Sequence, residues 1–392
     1  MRLSTDRILT THVGSMPRPQ SLVDVLLTKD RGEAFDPAEY DRVIAGAVTA
    51  VVERQVEAGI DVPSDGEASK VSYSTYMMDR LTGFGGDNRR KVALDLAPYP
   101  EFREKMSRMT GAQEFRRASC IGPVAVKDLE PLRIDIDNMR AAMTAAGVSE
   151  GFMNSASPGL ITAFQPNEYY ASHEAYVWAL SDAMRQEYRM IVDAGLILQL
   201  DCPDLAMARH TGFQDLSEAE FVKRAALHVE AMNAALDGIA ADRVRFHVCW
   251  GNYEGPHDFD IDLHKILPVI LKAKPQGILF EAANSRHAHE WTVWAEAKLP
   301  DDKVLIPGLI DSCSNYVEHP ELVAQGVERF AAIVGRERVL AGTDCGFGTF
   351  AGYGKLDGEI AYKKLRALAD GAAIASRRLW GLKAAQVARA AT

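Results

Sequence analysis

The chain has 392 residues, of which 47% are hydrophobic and 25% are charged, and its formal net charge is −10. This length accommodates one large α/β domain or two domains of average size. The acidic balance, without any basic stripe, argues against a nucleic-acid partner. No uncharged apolar run approaches the roughly 18 residues of a membrane span, and the first residues lack the apolar core of a secretory signal. We therefore expect a cytoplasmic protein with no membrane partner.

The chain contains five cysteines. This odd and sparse set does not make a disulfide framework. Thiolates are then free to bind a metal or to take part in catalysis.

Eight strand-like apolar runs alternate with amphipathic helical segments. The runs are Ile8–Ser15, Gly59–Glu67, Gly151–Ala156, Leu196–Asp201, Val244–Trp250, Gly277–Ala282, Val304–Asp311 and Val339–Asp344. Helical segments between them include Tyr40–Ala58, His173–Ala194 and Glu218–Leu236. Such alternation predicts an α/β fold with a parallel sheet, and eight units favour a closed (β/α)8 TIM barrel over an open sheet. We predict one catalytic barrel domain over residues 1–392.

Residues 85–150 do not fit this alternation. They contain an extra apolar run, Ser119–Val126, that is bracketed by charged segments. Pro123 within this run argues against a central barrel strand, because proline cannot donate to the ladder. We predict an insertion after the second strand, at about 85–150, in the form of a hairpin with helices.

Polar side chains collect where the predicted strands end, which is the rim of a barrel that carries chemistry. His247 and Cys249 are two residues apart, so on a strand they project from the same face. Glu281 ends the next strand, and Cys345 follows the last one. One imidazole, two thiolates and a carboxylate suit a tetrahedral Zn²⁺ site. A buried neutral histidine beside inert thiols is the alternative interpretation, which spacing alone does not exclude.

Several stretches together resemble the cobalamin-independent methionine synthase family, C-terminal catalytic barrel type. In chain order they are TTHVGSMPRP, SDGE, LQLDCPD, HVCWGN, FEAANSR and GTDCGFG, and the match runs over about residues 7–350. It is closest to the short single-barrel branch, which also includes epoxyalkane:coenzyme M transferases. The resemblance implies a (β/α)8 barrel with Zn²⁺ as cofactor, held by His247, Cys249, Glu281 and Cys345.

The resemblance also implies a binding site for an amino-acid thiol, formed by Gly14, Ser15, Glu67 and Asp201. Glu67 and Asp201 are carboxylates at predicted strand ends and suit an ammonium group, so we assign them a catalytic as well as a binding role. A structural hydrogen bond or helix cap is the alternative for Asp201, and a rim salt bridge is the alternative for Glu67. Arg18 is a candidate partner of a substrate carboxylate or sulfonate, or a solvated surface arginine.

Methyl transfer from a tertiary amine requires that its nitrogen be protonated. Asp344, Asp311 and His12 are acid candidates by position, and His12 equally suits a structural role. The two-barrel synthases of the family have a histidine after the seventh strand as an acid candidate, where this chain has Asp311-Ser312-Cys313-Ser314. We assign the catalytic role to Asp344.

Two further departures concern the methyl donor. The family's tryptophan near the pterin is replaced by Ser157-Pro158-Gly159, and the family's D-E-P is Asp201-Cys202-Pro203 here. The N-terminal barrel that helps to bind polyglutamyl folate in the two-barrel synthases is not in this sequence. The thiol-activating half therefore matches the family, whereas the donor half departs from it.

The sequence thus favours a zinc-dependent methyltransferase of methionine biosynthesis, which alkylates homocysteine or a related thiol. The donor is 5-methyltetrahydrofolate or another alkyl donor. Two alternatives stay open: addition of a coenzyme M-like thiol to an epoxide, and a non-catalytic zinc-binding barrel. The expected partners are a small-molecule thiol and an alkyl donor, and a homo-oligomer or a partner protein that delivers the methyl group is compatible with the sequence.

Overall fold

The computed structural model describes residues 1–88, 91–110, 117–354 and 356–381. The helices in these ranges are α1 (Gln20–Asp30), α2 (Pro37–Glu57), α3 (Pro100–Thr110), α4 (Glu130–Ala145), α5 (Pro158–Phe164), α6 (His173–Asp193), α7 (Glu218–Ala235), α8 (Leu263–Ile270), α9 (Trp291–Glu296), α10 (Pro320–Val334) and α11 (Gly358–Trp380). The strands are β1 (Leu9–Thr10), β2 (Phe84–Gly85), β3 (Ser119–Cys120), β4 (Phe152–Ala156), β5 (Ile197–Asp201), β6 (Val244–His247), β7 (Gly277–Phe280), β8 (Val304–Pro307) and β9 (Leu340–Ala341).

Five parallel strands, β4 to β8, lie side by side in chain order in one sheet. Every residue of these strands is buried, as expected for parallel strands that are covered on both faces. The predicted α/β fold with a parallel sheet is therefore confirmed. The register places Asp201 opposite His247 at the ends of β5 and β6, so two predicted site residues lie side by side.

The remaining predicted strands form shorter pairings. β1 is parallel to β9, with Leu9 opposite Leu340 and Thr10 opposite Ala341. The predicted second strand, Gly59–Glu67, is present as single parallel bridges rather than as a continuous ladder. The isolated parallel bridges that concern the predicted strands join Thr11 to Val62, Ser64 to Phe152, Leu305 to Val339, and Gly308 to Gly342.

Local sequence signals explain where the predicted helices begin. α2 follows Asp36, whose side chain accepts from the backbone N–H of Ala38, and it has a proline at its first position, which suits an N-terminus. Ser217 and Glu220 form a capping box at the start of α7, which satisfies two otherwise unpaired donors. The helices predicted at Tyr40–Ala58, His173–Ala194 and Glu218–Leu236 correspond to α2, α6 and α7 within a few residues.

An antiparallel pair and two helices occupy the region of the predicted insertion. β2 pairs with β3 through Phe84 and Cys120, and α3 and α4 lie between and after these strands. Residues 89–90 and 111–116 of this region, and 355 and 382–392 of the predicted domain, lie outside the described residues.

A buried ion network joins three separate elements. Arg80, after a short 3₁₀ turn, lies 2.6 Å from Oδ2 of Asp135 on α4 and 3.1 Å from Oε2 of Glu187 on α6. Glu187 Oε1 also accepts hydrogen bonds from the hydroxyls of Tyr76 and Ser155, each at 2.7 Å. All three charged side chains are less than 10% exposed.

A second buried arginine spans the interior between distant strands. Arg245 on β6 donates to the side chain of Gln199 on β5. Its two terminal nitrogens donate to Thr11 Oγ1 and to the carbonyl oxygen of His12, at 2.9 and 3.0 Å, just beyond β1.

Among the residues that the structure describes, no helix combines the length and apolarity that a membrane span requires. All five cysteines are free thiols, and only Cys313 is partly exposed.

Candidate functional site

A cavity of about 640 Å³ opens at the carboxyl ends of the parallel strands. Its wall contains six of the residues predicted from sequence: Ser15, Glu67, Asp201, His247, Cys249 and Cys345. Aromatic and apolar side chains surround them, including Tyr73, Phe164, Met207, Phe213, Tyr253 and Phe350. The described residues that line this cavity do not include the four other predicted site residues: Gly14, Arg18, Glu281 and Asp344.

Three predicted metal ligands converge in the cavity. His247 is the last residue of β6, Cys249 lies two residues further, and Cys345 follows β9. One ligand atom from each of these buried residues lies within 4.8 Å of the other two. The two Sγ atoms are 3.8 Å apart. Strands that are remote in sequence thus bring an imidazole and two thiols to one point.

The chemistry of this donor set fits zinc. Neither ring nitrogen of His247 has a hydrogen-bond partner, although both are buried. Burial lowers the pKa of His247 to about 3, so the ring is neutral, which is the form that binds a metal. The adjacent Cys249 thiol and burial raise the pKa of Cys345, so two thiolates this close require a cation. Imidazole with two thiolates is a donor set that selects Zn²⁺ over Mg²⁺ or Ca²⁺.

Glu281, the predicted fourth ligand, lies next to the group formed by His247, Cys249 and Cys345 but is not part of it. Its Oε1 accepts from the backbone N–H of Trp250 at 2.8 Å. Its Oε2 accepts from Asn284 Nδ2 and from Arg286, both at 2.8 Å. It is not among the residues whose ligand atoms lie within 4.8 Å of one another. Three of the four predicted ligands therefore converge. Glu281 does not join them, because three hydrogen-bond donors hold its carboxylate at the edge of the ligand group.

Asp344, the predicted catalytic residue of the last strand, accepts hydrogen bonds from the loop of residues 282–284. Its Oδ1 accepts from the backbone N–H groups of Ala282 and Ala283, and its Oδ2 accepts from the backbone and side-chain nitrogens of Asn284. Burial and the charge of Glu281 raise the pKa of Asp344 to about 7. Because four donors occupy the carboxylate and it does not line the cavity, the contacts support a positioning role.

Two buried carboxylates, Glu67 and Asp201, lie in the cavity wall. Asn154 Nδ2 donates to both oxygens of Asp201, and Gln199 Nε2 donates to Oδ1. Burial raises the pKa of Asp201 to about 6. Burial and the charge of Asp201 raise the pKa of Glu67 to about 7, against the opposing effect of Lys70. Glu67 Oε2 is buried without a hydrogen-bond partner. This pair favours a cationic group of a ligand.

Gly14 leaves room for the side chain of Asn154, which orients Asp201. Its φ is +142°, and a Cβ there would lie 2.3 Å from Oδ1 of Asn154. A side chain at position 14 would therefore displace the asparagine that orients Asp201.

Arg18 and His12 make structural contacts at the rim. Arg18 is half-buried, and its terminal nitrogens donate to the carbonyl oxygens of Gly348 and Glu67. It ties together two rim loops rather than facing a substrate carboxylate or sulfonate in the cavity. His12 Nε2 lies 2.6 Å from Gln55 Oε1, and its Nδ1 accepts from the N–H of Gly14. Both ring nitrogens of His12 are thus committed, which supports the structural alternative for this residue.

Sequence reasoning did not single out several cavity residues, among them His173, His210 and Phe213. His210 connects the inserted region to the rim. Its Nδ1 lies 2.8 Å from Asp95 Oδ2, and its Nε2 lies 2.9 Å from the carbonyl oxygen of Trp250. Although burial opposes it, the Asp95 carboxylate raises the pKa of His210. His173 starts a helix, whereas His210 and Phe213 lie in the turn region that follows a short 3₁₀ turn, and no hydrophobic period marks such positions.

Comparisons with known proteins find similarity to methionine synthases. Residues 8–94 match the family model described as cobalamin-independent synthase, catalytic domain. A methionine synthase of Saccharolobus solfataricus is 26% identical over 375 residues, which cover 94% of this chain and 95% of that protein. A methionine synthase of Thermococcus kodakarensis is 26% identical over 373 residues, which cover 94% of each chain.

Solved structures show a similar fold. A B12-independent methionine synthase from Shewanella sp. W3-18-1, in complex with selenomethionine, superposes with a TM-score of 0.71 at 20% identity. A putative vitamin-B12 independent methionine synthase from Listeria monocytogenes superposes with a TM-score of 0.64 at 19% identity. Each match covers 96% of this chain and 100% of the other.

Proposed function

From the similarity of this chain to cobalamin-independent methionine synthases, we propose that it belongs to their family and is a zinc-dependent methyltransferase that acts on homocysteine or a related amino-acid thiol. The observation that carries the proposal is the convergence of His247, Cys249 and Cys345 in one cavity with the carboxylates of Glu67 and Asp201. A thiol-activating centre and a site for an ammonium group are what the substrate requires. A cytoplasmic location and a homo-oligomer stay predictions.

We propose that the scaffold is a closed (β/α)8 barrel. The parallel contacts run from β1 to residues 62–64, then through β4 to β8, then to β9 and back to β1. Arg245 reaches from β6 to residues beside β1, which a flat sheet of this strand order would separate. The closed order and this interior contact support one barrel over the described residues.

His247, Cys249 and Cys345 would hold the zinc ion, with Glu281 as the fourth ligand. Zinc bound there would keep a substrate thiol ionised at neutral pH. Glu281 is the hardest donor of the set, and Asn284 and Arg286 already stabilise its carboxylate away from the thiols. Glu281 would therefore be the protein ligand that a substrate sulfur replaces most readily.

Glu67 and Asp201 would bind the ammonium group of the substrate. Burial raises the pKa of both carboxylates, and the charge of Asp201 raises that of Glu67 further. A cation placed between them removes the repulsion and favours the ionised forms. The hydrogen bonds from Asn154 and Gln199 fix the direction in which Asp201 faces.

Asp201→Asn tests this assignment. We expect the Kd for homocysteine to rise by about 10²-fold or more, because the variant removes a buried charge partner. Coenzyme M has no ammonium group to pair with Asp201, so its Kd should change by less than about 3-fold.

Homocysteine binding to the unmodified chain should also weaken as the pH falls through about 7 to 6, where Glu67 and Asp201 become protonated. Calorimetry measures each Kd.

The control is Asp258→Asn, which removes an exposed carboxylate from the loop between β6 and α8. It should leave both affinities unchanged. An equal loss of affinity for homocysteine and coenzyme M in Asp201→Asn would argue against an amino-acid thiol.

Zinc-edge X-ray absorption tests the whole proposal. The zinc-loaded chain is measured alone and with homocysteine, coenzyme M, glutathione or cysteine. We expect homocysteine to add one sulfur to the zinc shell. A sulfur added by coenzyme M alone would instead favour thiol addition to an epoxide. A zinc shell that no thiol changes would favour a non-catalytic zinc-binding barrel and contradict the proposal.

A further inference from the structure

Three titratable side chains form a hydrogen-bonded line that ends at the cavity. Asp204 lies in the 3₁₀ turn after β5, and its Oδ2 is 2.9 Å from Nδ1 of His228 on α7. His228 Nε2 is 2.8 Å from Nε2 of His173, the first residue of α6. Asp204 and His228 are buried, whereas His173 is partly exposed and lines the cavity.

The inner end of this line is held on two sides. Ser157 donates its hydroxyl to Asp204 Oδ1 at 2.8 Å, and the Oγ of Ser157 accepts from the N–H of Leu160 at the start of α5. A Cβ at Gly159 would lie 2.0 Å from Asp204 Oδ2 and 2.5 Å from His228 Nδ1. The absence of a side chain at position 159 therefore makes room for the Asp204–His228 contact.

The hydrogen-bond partners of His228 and His173 specify one tautomer for each ring. An ionised Asp204 only accepts, so His228 carries its proton on Nδ1 and leaves Nε2 bare. That bare nitrogen accepts from His173, so His173 carries its proton on Nε2 and leaves Nδ1 bare. The Nδ1 of His173 has no hydrogen-bond partner among the described contacts. His173 is thus held as a hydrogen-bond acceptor at the cavity wall, as an aspartate holds the ring of a catalytic triad.

The surroundings keep His173 neutral at rest. Burial, His228 and Arg224 lower the pKa of His173 to about 3. The N-terminal end of α6 acts in the same direction, because the helix dipole disfavours a cation there. Arg224 packs over the ring of Phe213, which contacts both imidazoles. At the inner end, burial raises the pKa of the Cys202 thiol and of the Tyr188 hydroxyl, and the charge of Asp204 acts in the same direction.

We propose that His173 is the acid–base residue that carries the substrate proton from the thiol to the leaving nitrogen of the methyl donor. The proposal rests on the proposed function. When the thiol binds, it loses its proton to His173 Nδ1, and the new negative charge of the thiolate stabilises the protonated ring against the effects that keep it neutral at rest. The thiolate sulfur then forms a bond to the methyl carbon while the carbon–nitrogen bond breaks, and its electron pair stays on nitrogen. That nitrogen takes the proton from His173 Nδ1, so no proton is gained or lost overall.

The resting tautomers can be measured without turnover. In protein labelled with ¹⁵N at histidine, long-range ¹H–¹⁵N correlations distinguish a protonated ring nitrogen from a bare one. We expect a bare Nδ1 and a protonated Nε2 on His173, and the reverse on His228. Asp204→Asn should reverse both rings, because an asparagine side chain has the same size and its amide nitrogen donates to His228 Nδ1. A proton on Nδ1 of His173 in the unmodified chain would overturn the proposal.

Two methyl donors separate proton delivery from thiol activation. With 5-methyltetrahydrofolate the leaving nitrogen needs a proton, whereas with iodomethane the leaving iodide needs none. We expect His173→Gln to lower kcat with 5-methyltetrahydrofolate by about 10²- to 10⁴-fold. The same variant should methylate homocysteine from iodomethane within about 3-fold of the unmodified rate, since the thiol proton can pass to solvent there and the leaving iodide takes none. His289→Gln, at an exposed histidine, is the control.

Zinc content and the zinc-edge spectrum with homocysteine are measured on the same samples. If the unmodified chain binds zinc and homocysteine, a kcat of His173→Gln that stays near the unmodified value overturns the role of His173 alone. An equal loss with both donors, or methylation of homocysteine by iodomethane without any transfer from 5-methyltetrahydrofolate in the unmodified chain, overturns it as well. A zinc shell that no thiol changes would instead overturn the proposed function. The ¹H–¹⁵N correlations test the tautomers of His173 and His228 independently of that result.

Discussion

Cys249→Ser and Cys345→Ser are each expected to lower bound zinc from about one ion per chain to less than about a tenth, and to remove thiol alkylation. Serine is a hard, weakly acidic donor and does not replace a thiolate in a zinc site. The three convergent ligand atoms lie within 4.8 Å of one another, so the loss of one leaves two protein donors and a marginal site. Metal analysis by mass spectrometry after dialysis measures the zinc, and alkylation of homocysteine measures the activity.

Cys313→Ser is the matched control for this result. Its thiol contacts Asn252 Oδ1 at 3.2 Å, a contact that a serine hydroxyl also makes, and Cys313 is not in the ligand group. It should keep both zinc and activity. Full alkylation activity in a zinc-free Cys249→Ser or Cys345→Ser chain would contradict the zinc mechanism.

Arg80→Met is expected to lower the free energy of unfolding by about 3–5 kcal/mol, because it leaves two buried carboxylates without their cation. Arg80 pairs with Asp135 and Glu187, and all three side chains are buried. Methionine retains most of the volume, so the effect reports the lost charge rather than a cavity. Unfolding in guanidinium chloride, followed by circular dichroism, measures it at neutral pH.

The loss in Arg80→Met should shrink as the pH falls. Although burial opposes it, the pairing with Arg80 lowers the pKa of Glu187 in the native chain. The stabilisation from Glu187 is therefore present above the carboxyl's unfolded pKa, about 4.5, and is lost as the pH falls through the lower folded value. In the variant, protonation of Asp135 and Glu187 relieves the burial of unpaired charge.

Arg133→Met is the matched control for the arginine substitution. Arg133 pairs with Glu130 and Asp137, but all three side chains are more than half exposed. Its loss should change the free energy of unfolding far less than the loss of Arg80 does, because exposed ion pairs contribute little to stability. Similar effects of the two substitutions would contradict the importance assigned to the buried network.

The sequence predicts the parallel strands and the convergence of His247, Cys249 and Cys345, because both depend on local patterns. Short apolar runs between turns mark β4 to β8, and parallel strands bring their carboxyl ends to one rim. His247 ends β6 and Cys345 follows β9, so their convergence follows once the strand ends are known. The strands at the beginning and end of the chain are shorter than predicted, since only Leu9–Thr10 and Leu340–Ala341 form ladder pairs.

The remaining site residues depend on contacts that no local pattern specifies. Arg18 looks like a free cation in the sequence, but two carbonyl oxygens of the rim bind it. Asp344 looks like an acid, but the backbone of residues 282–284 occupies its oxygens. His173 and His228 lie on different helices, and only the packing of α6 against α7 brings their rings together.

The pairing of β1 with β9 also has a consequence during synthesis on the ribosome. Leu9 finds its partner Leu340 only after almost the whole chain has been made, and the backbone N–H of Phe347, just beyond Cys345, donates to the carbonyl oxygen of Ser15. Contacts of such long sequence separation form slowly, because the intervening chain must first be ordered. Until then Cys249 lacks its thiol neighbour, so loading of the proposed zinc site is expected to be a late, largely post-translational event.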